Sequence, residues 1–165
     1  MKMAHALIAL FLAVPVLAQE SPKFYRLDFV LKELDESKAL SQKTYSTFMS
    51  TDERQKGALI RSGTKVPYQS GAGNYSYVDV GVNIDCQRLQ EVNGQLVVQV
   101  SADITSVPAA STPGESVVPG VPVIRQNRWN AVAGIAIAKA TTLFSSDDLN
   151  TKRKLQLELT ATPVK

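Results

Sequence analysis

The stretch from Tyr75 to Cys86, YSYVDVGVNIDC, decides the fold class of this chain. Val78, Val80, Val82, Ile84 and Cys86 fall on one parity. Tyr77, Asp79, Gly81, Asn83 and Asp85 fall on the other. A period of two with one apolar and one polar face is the pattern of a half-buried β-strand. Leu96 to Ile104 repeats it, with Leu96, Val98, Val100, Ala102 and Ile104 on one side. Between the two runs lies Asn93-Gly94, a dipeptide that tolerates the positive φ angles of a tight hairpin turn. The spacing predicts an antiparallel hairpin.

Working outward, Tyr25, Leu27, Phe29 and Leu31 alternate with Arg26, Asp28 and Val30, which marks another strand. Lys43 to Met49, rich in Thr, Tyr and Phe, is positioned to pair with it across the polar stretch Asp35 to Gln42. Gly57 to Arg61 is a shorter candidate, and Gly63 to Asn74, with Pro67 and three glycines, reads as a loop. Residues 107–122 form a long Pro-rich connection, either functional or disordered. Ile124 to Phe144 reads as two strands broken near Ala138-Lys139-Ala140, since Trp129, Val132, Ile135 and Ile137 hold no clean helical stripe. Leu155, Leu157, Leu159 and Ala161 alternate in a final strand. The expectation is an all-β domain, an antiparallel sandwich or curled sheet of about seven to nine strands.

The N-terminus carries an export signal. Lys2 precedes an uncharged apolar run from Ala6 to Ala18, and Val16-Leu17-Ala18 offers small residues at a peptidase site. Residues 1–18 read as a signal peptide, and 19–165 as a single β-rich domain beginning at Gln19. That run is shorter than the ~20 residues of a bilayer-spanning helix, so a periplasmic or secreted protein with no integral membrane span is expected.

Composition excludes several chemistries. The formal charge of +3 falls by one with Lys2 removed, too even a balance for a nucleic-acid surface. Lys152, Arg153 and Lys154 form the one basic run and read as the solvated start of a strand. The single histidine, His5, lies in the signal, so the mature chain lacks the usual proton-transfer and zinc-binding side chain. Cys86 stands alone, which rules out an intrachain disulfide and reads as a small buried apolar residue. Asp79 and Asp85 share a strand face, but six residues at ~3.3 Å each hold them about 20 Å apart, beyond the reach of a paired-carboxylate site. Asp147-Asp148 with Asn150 lacks the ligand spacing of a calcium loop. Gly71-Ala72-Gly73 is too short to cradle phosphate. Tyr68, Tyr75 and Tyr77 cluster around the Gly-rich segment, as a contact surface or as packing at a sheet edge. No catalytic, cofactor-binding or metal residue is assigned, and no cofactor is expected.

The run Gly63-Thr-Lys-Val-Pro-Tyr68, then Tyr77 to Ile84, then Leu96 to Val107 resembles the C-terminal β-domain of the bacterial secretin family. Gly63, Val66 and Pro67 match that family's G-x-x-I/V-P loop, and Tyr77, Asp79, Val80, Gly81 and Val82 its Y-x-D-V-G-V strand. Pro122 to Arg128, followed by Trp129 to Ala140, is similar to the next element. The likeness covers residues 57–162. It implies secretin-like strand topology, while the family's G-G-L signature and lip segment are not found in Ala140 to Ser146 or after Asp147. Two function classes follow. One is an exported non-catalytic domain that binds or scaffolds envelope proteins through sheet edges or loops, of open oligomeric state. The other is an exported hydrolase with an unrecognised Ser/Lys or carboxylate site. The expected polar faces carry Arg26, Asp28, Lys32, Asp79, Asn83, Asp85, Gln99 and Asp103, so a membrane pore built from this chain alone is not expected.

Overall fold

The computed structural model describes residues 21–71, 73–107, 123–148 and 153–164. The signal segment, the Pro-rich stretch 108–122, Asn150 and Lys152 lie outside the described residues. Among the described residues the regular structure is all strand: β1 (Phe24–Asp35), β2 (Lys38–Ser50), β3 (Ala58–Gly71), β4 (Asn74–Val92), β5 (Gln95–Ser106), β6 (Arg125–Ala136), β7 (Thr141–Asp147) and β8 (Arg153–Val164). They form two four-stranded antiparallel sheets, ordered β2-β1-β8-β7 and β3-β4-β5-β6. The second sheet is a continuous meander inserted between β2 and β7, and β1 and β8 pair at the centre of the first.

The two sheets share one core. Tyr25, Leu27, Phe29 and Leu31 of β1, with Met49 of β2 and Leu157, Leu159 and Ala161 of β8, face Val82, Ile84, Cys86 and Leu89 of β4. All five alternating residues of β5, Leu96 to Ile104, and Ile135 of β6 complete it. This is sandwich packing, in which the inward parity of each sheet loses its water and supplies the main stabilising term. The expected hairpin is present, with Asn93 and Gly94 at φ 52° and 76° in its turn. The break near Ala138 is present too, with Ala138 itself at φ 58°.

Three expectations need correction. The segment read as a loop, Gly63 to Asn74, is mostly strand: β3 runs through it and pairs with β4 as far as Gly71 opposite Asn74. Pro67 is tolerated because β3 is an edge strand, where a missing donor need not break a ladder on both sides. The polar connection Asp35 to Gln42 is much shorter than expected, because β1 and β2 pair down to Asp35 opposite Lys38, with Glu36 at φ 54° in the turn. Finally, β4 does not end at Cys86. An extra residue, Gln87, bulges between Cys86 and Arg88 and flips the parity, so Leu89 returns to the core.

Candidate functional site

The outward faces carry ion pairs, most of them between neighbouring strands. Lys65 Nζ donates to Asp79 at 2.8 Å, and Arg61 pairs with Asp85. Asp79 and Asp85 are therefore held by two separate cations of β3, on one extended strand. On the same sheet, Asp103 of β5 accepts from Arg128 at 2.8 Å and from Gln126 at 2.9 Å. Burial alone would raise the Asp103 carboxyl, but these donors outweigh it and hold it below the usual carboxylate range. On the first sheet, Arg26 pairs with Asp28, and Lys32 with Glu158 at 2.6 Å. Asp147 pairs with Lys154 and Asp148 with Arg125, so the acidic pair at the end of β7 serves charge balance. No group of three or more metal-ligating side chains occurs among the described residues.

One polar cluster joins the sheets. Glu91, near the end of β4, accepts from Lys23 Nζ at 2.8 Å and from Tyr25 Oη at 2.9 Å. The Lys23 and Tyr25 hydrogen bonds hold the Glu91 carboxyl below its ordinary value. Burial, and then the bond to Glu91, push the Tyr25 phenol up. Beside them Thr51 exchanges hydrogen bonds with the Lys23 backbone, and Glu53 accepts from Arg88 at 2.9 Å. A shallow cleft here is lined by Ser21, Lys23, Thr51, Glu53, Gln90 and Glu91. It brings a serine and a lysine together, with Lys23 Nζ engaged by the Glu91 carboxylate. Cys86 is buried, and burial followed by the neighbouring Asp85 pushes its thiol up to about 12, which leaves no reactive thiolate.

The remaining features are edges and exposed apolar side chains. β2, β7, β3 and β6 each end a sheet. Among the described residues, β4 pairs with β3 alone between Asn74 and Val80, because its pairing with β5 starts at Gly81 opposite Thr105. This two-stranded ribbon carries Tyr75 and Tyr77, 68% and 65% exposed, while Tyr68 is half-buried on its other parity. The sequence pattern signalled these tyrosines. It did not signal the Glu91 joint, whose partners lie more than sixty residues away.

No protein-family model and no curated protein matches the chain. Solved structures do. The secretin InvG of the Salmonella SPI-1 type III secretion injectisome superposes with a TM-score of 0.51 at 10% identity, over 87% of this chain and 64% of InvG. The chain carries the secretin β-domain fold. InvG in the Salmonella injectisome basal body with PrgH and PrgK matches at TM-score 0.51 and 10% identity, over 87% and 45%. Aeromonas hydrophila ExeD matches at TM-score 0.50 and 10% identity, over 87% and 47%. The chain thus spans less than two thirds of each of these proteins. Within the secretin-type fold, the residues that carried the resemblance occupy two adjacent strands: Gly63, Val66 and Pro67 lie on β3, and Tyr77 to Val82 on β4. Gly63 and Gly81 stand directly opposite each other. A Cβ on Gly81 would come within 2.2 Å of the Ser62 carbonyl oxygen, so the close approach of β3 and β4 requires glycine there.

Proposed function

We propose that this chain is an exported, non-catalytic β-domain that binds or scaffolds other proteins of the cell envelope through its sheet edges. The observation that carries the reading is the pair of open sheets: each ends in strands whose outer backbone groups have no partner strand among the described residues. Such an edge is a template for an added strand, with main-chain hydrogen bonds giving affinity and alternate side chains giving selectivity. The fold supports an envelope setting, since InvG, which shares it, is a basal-body protein alongside PrgH and PrgK. The hydrolase alternative gains nothing from the cleft at Ser21 and Lys23, where the lysine is committed to Glu91.

Export follows from the signal at residues 1–18, with cleavage after Ala18 and a mature N-terminus at Gln19. The outward faces argue against a lipid-facing barrel made by this chain alone, because Lys65–Asp79, Arg61–Asp85, Arg128–Asp103 and Lys32–Glu158 sit where lipid would have to be. The test is in two parts. Intact mass of protein from the envelope fraction should show a chain beginning at Gln19, and a full-length cytoplasmic product would overturn export. Purified mature protein should leave dye-loaded vesicles intact, and leakage together with a heat-resistant ring would overturn the non-pore reading.

A further inference from the structure

The four edges are not equivalent. On β3, Pro67 removes a donor and the cations Arg61 and Lys65 are both paired. β7 is 7 residues long and its register shifts between Thr142 and Phe144. On β6, Arg125 and Arg128 are held by Asp148 and Asp103. β2 is close to β6 in length and shares its lack of proline and acid, and it differs from all three in carrying lysines without an ion pair among the described residues. Its 13 residues, KALSQKTYSTFMS, include no proline and no acid, and from Ser41 to Ser50 they pair with β1 without a break in register. Lys38 and Lys43 are exposed and make no ion pair among the described residues. Lys38 lies opposite Asp35 and near Glu36, which offset it locally. Lys43 lies opposite Leu31, between Ser41 and Tyr45 on its own parity, and its diagonal acid, Glu33, is engaged by Arg153. On the other parity Phe48 is 61% exposed.

We propose that β2 accepts an extended segment of an envelope partner that sets a carboxylate against Lys43 and an apolar side chain against Phe48. This rests on the strand-addition reading and states which edge is used and what chemistry it selects. An added strand pairs residue for residue, so side chains meeting Lys43 and Phe48 stand five positions apart, on opposite faces and about 17 Å from each other. Directly opposed side chains across a ladder attract when oppositely charged or both apolar, and repel when like-charged. An edge lysine deters indiscriminate pairing. Lys43 therefore rejects a basic or wholly apolar strand and admits an acidic one, which is selectivity by repulsion as well as attraction.

The test uses the full mature protein and two synthetic peptides of about ten residues on one Thr/Val framework. The first carries Glu and Phe five positions apart, and the second carries Lys in place of Glu. Backbone amide exchange is followed residue by residue. The Glu peptide should slow exchange across residues 41–50 and the Lys peptide should not. Lys43→Glu should invert the preference, weakening the Glu peptide about fivefold at low salt, and Phe48→Ser should weaken it without altering charge selectivity. Both side chains are exposed, so unchanged thermal unfolding of the variants confirms that only the edge was altered. Equal slowing by the two peptides overturns the proposal, as does slowing confined to β3, β6 or β7. Slowing of β2 and β7 without peptide, growing with protein concentration, also overturns it, because a second copy then occupies the edge. Protection of another edge removes β2 but leaves strand addition standing. If no edge is protected and no envelope protein cross-links to any edge in cells, both fall.

Discussion

The strand β4 has two halves with the same sequence pattern and different fates. From Val82 to Cys86 it is flanked by β3 and β5 and its inward side chains are sealed under the first sheet. From Asn74 to Val80 it has β3 alone among the described residues, and Val78 and Val80 continue the valine alternation without reaching the core. Alternation therefore identifies a strand but not the layer that covers it. Coverage comes from neighbours in space, and Gly81 marks where that neighbourhood changes.

The sharpest way to break this comparison is Val82→Asp. It places a carboxylate beside Ile84 and Ile104 in the core with no partner, a cost of several kcal/mol, comparable to the whole stability of a domain this size. The expected outcome is loss of cooperative thermal unfolding, and a retained transition near the parent's temperature would show that the inward parity is misassigned. Gly81→Ala comes next. Its new Cβ meets the Ser62 carbonyl oxygen at 2.2 Å, so the backbone must shift, at roughly 1–3 kcal/mol. Amide exchange should accelerate mainly in residues 64–80 while β5 and β8 stay protected. Uniform acceleration would mean the ribbon and the sandwich unfold as one unit.

The Glu91 joint gives a smaller, pH-dependent effect. Its folded carboxyl is held below the ordinary value by Lys23 and Tyr25. Its contribution is therefore present above the unfolded carboxylate pKa and is lost as pH falls through the depressed folded value. Wild type and Glu91→Gln should differ in denaturant midpoint at neutral pH and converge in acid. A constant difference across that range would remove the linkage. The smallest effect is expected for Asn83→Asp. This side chain faces outward opposite Asp103, so a like-charged pair appears beside Arg128, costing about 0.5 kcal/mol in a melting curve. A loss comparable to that of Val82→Asp would reverse the two faces of β4.

Much of this fold was legible because β1, β4, β5 and β8 alternate cleanly, and their apolar parities are the ones buried. β3 was legible only at its start, Ala58 to Arg61, since Ser62, Gly63, Thr64 and Pro67 dilute its alternation and its edge position, which makes Pro67 acceptable, is a property of the sheet. Leu89 was hidden by the Gln87 bulge, which reverses parity at a single residue. The candidate surface was legible only in fragments. Tyr75 and Tyr77 stood out by type, whereas the ion pairs that neutralise β3 and β6, and the isolation of Lys43 on β2, depend on register that no local pattern encodes.

The central claim is that partners meet this domain at its sheet edges. Its most direct test is in-cell photo-cross-linking with the reactive residue placed in turn at edge positions Thr44, Arg61 and Asn130, and at Gln99 and Thr160 on central strands. The account predicts that a defined envelope protein cross-links from one or more edge positions and not from the central ones. Cross-links from Gln99 or Thr160 alone, or none from any edge, would contradict it.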